Sequence, residues 1–101
     1  MIISTLEQIA GHKITESLGV VASNTIRARY LGKDTVAGLR TVAGGEIKEY
    51  TGMLAESREQ SLQRMIEKGE ELNADGIIGV RFQTSMIMST TAELLANGTA
   101  V

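Results

Sequence analysis

Two stretches of the chain alternate with period two. From Lys13 to Arg29 the even positions are Ile14, Glu16, Leu18, Val20, Ala22, Asn24, Ile26 and Ala28. The odd ones are Lys13, Thr15, Ser17, Gly19, Val21, Ser23, Thr25, Arg27 and Arg29. One face is mostly apolar and the other mostly polar, the pattern of a half-buried strand. The run exceeds the usual 5–6 residues, so the spacing predicts a bend near Gly19 or a break near Ser23-Asn24. From Gly76 to Ser89 the alternation is cleaner, with Ile78, Val80, Phe82, Thr84, Met86 and Met88 on one face. Gly79, Arg81, Gln83 and Ser85 share the other. Met1–Ser4 reads as a short first strand, with Gly11-His12 as the turn that follows. Ala92–Val101 reads as a last strand, in which Asn97-Gly98 marks a bulge or a late turn.

Between the strands the period changes. Asp34 is an N-cap candidate, Val36, Leu39, Val42 and Ala43 follow at helical spacing, and Gly44-Gly45 ends that short helix. A second helix is predicted from about Glu46 to Leu72, with Ile47, Tyr50, Leu54, Leu62, Met65, Ile66 and Leu72 as its apolar stripe. Ser57, Arg58 and Ser61 fall in the middle of that stripe. Glu46 and Glu49 suit the positive end of the helix dipole, and Asn73-Ala74-Asp75-Gly76 stops the element.

The predicted order is β-β-α-α-β-β: an α+β fold in which an antiparallel sheet packs against one long helix and a short one, in a single domain spanning 1–101. From Ile47 to Leu72 the helix would run roughly 39 Å, beyond the ~30 Å width of a small domain. With only three aromatic residues in 101, the core is thin and aliphatic. Both features predict a homo-oligomer whose neighbours complete the core.

Composition narrows the chemistry. The chain has no Cys and one His, which excludes disulfides, thiolate metal sites, iron–sulfur clusters and thiol nucleophiles. A net charge of −2 with interspersed signs gives no general attraction to nucleic acid or to an anionic membrane. The absence of a basic leader and of an ~18-residue apolar run points to the cytoplasm. No cofactor signature appears.

Several residues act together as a family signature. Arg40-Thr41-Val42-Ala43-Gly44-Gly45-Glu46, Tyr50, Glu56-Ser57-Arg58-Glu59, the run Ala74-Asp75-Gly76-Ile77-Ile78-Gly79-Val80-Arg81-Phe82 and the closing Asn97-Gly98-Thr99-Ala100 follow in register. The chain resembles the YbjQ-like family, labelled a heavy-metal-binding domain, over nearly its whole length. That resemblance implies a dodecin-like α+β subunit assembled in a closed pentameric ring; it implies no particular activity.

Candidate sites can be set against plainer roles. Met86 and Met88 place two thioethers on one strand face, suited either to a cuprous ion or to filling a core. Glu67 and Glu71, with Glu70 and Asp75, offer oxygen ligands for a hard cation or simply a solvated helix end. His12, in its turn, is an exposed histidine unless a ring gathers its copies about an axis. Arg27, Arg29 and Arg40, with Lys33, are candidates for a small anion or for ion pairs across a subunit boundary. Gly44-Gly45 lacks the strand and the Gly-Lys-Ser/Thr of a nucleotide loop. No catalytic set is present within one chain, so no enzyme activity is expected. A composite site at subunit boundaries would use Arg40, Tyr50 or Glu46. Any bound metal is expected to be weak and oxygen-coordinated.

Overall fold

The computed structural model describes residues 1–28, 48–88 and 91–101, with side chains apart from those of 27–28, 48–51 and 87–88. It contains β1 (Ile2–Ile3), β2 (Gly19–Ala28), α1 (Lys48–Glu71), β3 (Gly76–Met88) and β4 (Thr91–Ala100). The short helix expected over Asp34–Gly44 lies outside the described residues.

The four strands form one sheet in the order β1-β3-β4-β2, with α1 on one face. β3 and β4 make an antiparallel hairpin and β2 runs antiparallel to β4. The edge strand β1 corrects the antiparallel expectation: it pairs parallel with β3, Ile2 against Gly76 and Ile3 against Ile77. Two residues carry no readable period, and their partner lies more than seventy positions away. β2 begins only at Gly19, whose φ of 111° breaks the extended run near the position the sequence suggested. The preceding 13–18 are irregular, and Leu18 N–H reaches Ala100 C=O at 2.7 Å.

Alternation along β2 is correct, but its apolar face is not the one against the helix. Val21, Ser23 and Thr25 are buried, while Val20 and Ile26 are 78% and 56% exposed on the opposite face. In β4 every even residue from Ala92 to Ala100 is buried. In β3 a bulge changes the parity. Pairing passes from Ile78–Thr99 to Arg81–Asn97, so Gly79 and Val80 together oppose Gly98. Gly79 accommodates the extra residue at φ 60°, a left-handed conformation natural to glycine. Ile77 therefore points to the helix before the bulge and Val80 after it, and both are buried. Ile78, expected on the inner face, is displaced from it. The bulge anticipated at Asn97-Gly98 belongs to β3, opposite Gly98.

The helix meets the sheet along a seam of small residues. Ser57, Ser61, Met65 and Gly69 recur every four positions and are buried, facing Val21, Ser23 and Thr25 of β2 and Ala96 and Ala100 of β4. Small side chains on both sides let the two layers approach closely, so burial follows size more than hydropathy. The core is Val21, Met65, Ile77, Val80, Ala96 and Ala100, with Ile3, Leu18, Leu62 and Ala74 packed against it. At its end α1 closes on Asn73, φ 58°. Asn73 N–H bonds Glu70 C=O at 2.9 Å and Ala74 N–H bonds Gly69 C=O at 3.0 Å, the paired bonds of a Schellman stop.

The helix packs chiefly on β2 and β4 and little on β3. Phe82 and Met86, paired with the buried Ala96 and Ala92 on the helix side, consequently remain 40% and 62% exposed.

Candidate functional site

Two polar constellations emerge from this packing. The first is internal. Ser23 Oγ donates to Ser61 C=O. Ser61 Oγ donates to Leu94 C=O at 3.2 Å and lies 2.7 Å from Thr25 Oγ1. Because the Ser61 proton is given to Leu94, Thr25 must be the donor of its pair. These hydroxyls are buried and engaged with one another and with backbone. They are a structural network, closed to substrate. The sequence carried the signal in serines four apart on α1 and Ser23/Thr25 two apart on β2.

The second is a cavity of about 110 Å³ at the mouth of β1, lined by Ile2, Ile9, His12, Lys13, Ile14 and Asp75 among others. His12 reaches it through a turn in which Gly11 has φ 78° and His12 N–H closes on Ile9 C=O at 3.1 Å. Asp75 is positioned by the start of β3, where Ile2 N–H meets its carbonyl at 3.2 Å. Three isoleucines supply apolar lining, and His12, Lys13, Thr15 and Asp75 supply polar lining. That mixture of apolar and polar lining suits a small ligand with one polar end.

The other candidates are not brought together. Glu67 and Glu71 are exposed, and Glu67 Oε1 accepts a 3.4 Å bond from Gln63 Nε2. Met86 is largely exposed and so is no core filler, and the Met88 side chain lies outside the described set. Arg27 lies in β2 opposite Ala92, its side chain outside that set. Arg29 and Arg40, like Lys33 and Glu46, fall outside the described residues; Tyr50 lies in the first turn of α1, its side chain likewise undescribed. On the outer sheet face Glu93 spans three strands, accepting from Asn24 Nδ2 at 3.2 Å and Ser85 Oγ at 3.4 Å.

The family model described as "Putative heavy-metal-binding" matches residues 1–101. The chain belongs to the YbjQ family. It is 52% identical over 101 residues to a UPF0145 protein of Methanosarcina acetivorans, covering all of this chain and 95% of that protein. It is 54% identical to one from Thermotoga petrophila with the same coverage. A crystal structure of a protein of unknown function from Pediococcus pentosaceus, assigned to the DUF74 family, superposes with a TM-score of 0.72. It is 19% identical and covers 99% of this chain and 94% of that one; the likeness establishes the shared fold. The YbjQ label can be tested against the side chains. A soft metal wants thiolates or several imidazoles. Among the described residues no three His, Cys, Asp or Glu side chains come together, and the cavity combines one imidazole with one carboxylate. Among the described residues, then, one chain gathers no ligand set of the kind a soft metal prefers. Among the described residues no helix is long and apolar enough to cross a membrane.

Proposed function

We propose that this YbjQ-family chain works as a cytoplasmic homo-oligomer, a closed ring of five as the family likeness implies, with no catalytic centre of its own. The observation that carries the reading is apolar surface on the sheet face that α1 leaves bare, where Val20 and Ile26 are exposed. Burying such side chains contributes roughly 1.5–3 kcal/mol each. Val20→Asp combined with Ile26→Asp is therefore expected to weaken assembly at least ~100-fold. Sedimentation equilibrium should find a folded monomer for this variant and an oligomer for the parent; an unchanged oligomer would refute the contact.

A second reading, capture of an ion or small anion, draws on the cavity where His12, Lys13 and Asp75 meet. Symmetry would multiply its single imidazole only if that mouth faced a neighbour's. With carboxylate oxygen and one imidazole per chain, weak binding is expected. Calorimetric titration of chelator-treated protein with zinc should give no stoichiometric submicromolar site. Such a site, abolished by His12→Ala, would overturn this expectation.

A further inference from the structure

The two edges of the sheet are treated differently. On β2, helix α1 sends Lys68 Nζ to Ala22 C=O at 2.7 Å and Arg64 to Asn24 C=O at 3.0 Å. Two long cations thus occupy the outward carbonyls and blunt that edge against strand addition. On β3 the N-terminal loop covers only the beginning. Ser4 N–H bonds Ile77 C=O at 2.9 Å, Val80 N–H bonds Ser4 C=O at 3.1 Å, and Arg81 reaches Thr5 C=O at 2.6 Å. Beyond Arg81, among the described residues, no strand pairs with this edge. Because Val80 turns its N–H outward, alternation turns those of Phe82, Thr84 and Met86 outward too.

We infer that β3 pairs edge to edge with β3 of a second copy, antiparallel about a two-fold axis at Thr84. The sequence Phe82-Gln83-Thr84-Ser85-Met86 is self-complementary about that centre. Thr84 faces its own copy, Phe82 faces Met86 in both directions on the helix side, and Gln83 faces Ser85 on the other. Phe82 and Met86 are both substantially exposed, and a thioether against a ring edge is a favourable pair. The segment has no charge and no proline to resist pairing. Residues 82, 84 and 86 would exchange about six backbone hydrogen bonds. The partner's apolar side chains would adjoin the 190 Å³ cleft lined by Leu54, Thr84, Met86 and Ala92. Pairing with a neighbour's β2 is disfavoured because Lys68 and Arg64 already hold those carbonyls.

This contact goes beyond the proposed ring and uses a different surface from Val20 and Ile26. It is isologous, so it joins chains in pairs. The chain lacks cysteine, so one introduced thiol reports it cleanly. Across a hydrogen-bonded pair the Cα atoms lie about 5.5 Å apart, within disulfide reach. Thr84→Cys should oxidise almost completely to a covalent dimer, while Ser85→Cys, offset from its own copy, should not. Thr84→Lys, which sets like charges opposite each other, should lose the pair and halve the assembly mass with the fold intact. Failure of Thr84→Cys to cross-link, equal cross-linking at both positions, or an unchanged mass for Thr84→Lys would each overturn the inference. The Thr84→Cys yield does not depend on ring closure, so a failed ring with efficient cross-linking, or the reverse, separates the two proposals.

Discussion

Replacing Gly98 with alanine is expected to destabilise the protein by about 2–3 kcal/mol, the upper part of the range for forcing a methyl into a packed core. The added Cβ would lie 2.6 Å from Ile77 Cγ2, 3.1 Å from Ile78 carbonyl oxygen and 3.3 Å from Val80 Cγ2. None of these neighbours yields easily. Ile77 is fully buried, its β-branched side chain has few rotamers to move to, and the carbonyl is backbone at the bulge. Ile77→Ala alone removes buried methyl groups and should cost about 2–5 kcal/mol. The two changes relieve each other, because the alanine at 77 removes the atom the new Cβ strikes. The double variant should be more stable than additivity predicts by about 1 kcal/mol or more. Denaturant unfolding of all four proteins at one fixed chain concentration measures this, since assembly makes stability concentration-dependent. Additive losses would show that Gly98 is not in contact with Ile77.

Ser61→Ala should cost about 1–3 kcal/mol, although the change is from a small polar residue to a small apolar one with better helix propensity. The loss comes from what is left behind. The Thr25 hydroxyl loses the oxygen it donates to, 2.7 Å away, and Leu94 C=O loses one donor, both out of reach of water. Adding Thr25→Val removes the stranded donor while keeping its shape, so Ser61→Ala with Thr25→Val should recover much of the loss. The same unfolding series checks it; a double variant weaker than Ser61→Ala alone would contradict the assigned network.

These two networks also show where sequence reading stopped. The α+β class, the long helix and the three longer strands follow from period alone. Which face of β2 meets the helix does not. Val20 and Ile26 make the outer face the greasier one, whereas Ser23 and Thr25 are buried because hydroxyl partners on α1 and a close approach of layers compensate them. In the assembly proposed above both faces of the sheet are covered, so hydropathy would not tell an internal contact from one between chains. The bulge at Gly79 reversed the inner face of β3 within one residue, and a lone glycine in a strand announces such a shift without giving its direction. The cavity joining His12 to Asp75 depends on β1 lying parallel to β3, a pairing without local signal. Of the anion candidates, Arg29 and Arg40 fall outside the described residues, so their part rests on sequence.

The central claim is that copies of this chain cover the surface it leaves bare. Native mass spectrometry of the unmodified protein tests it most directly, since it reports stoichiometry and any retained ligand together. The expected spectrum is one dominant assembly at a whole-number multiple of 10.8 kDa. That multiple should be five for the ring alone, or ten where two rings pair through β3, with no tightly held heavy metal. A stable single chain at micromolar concentration would contradict it.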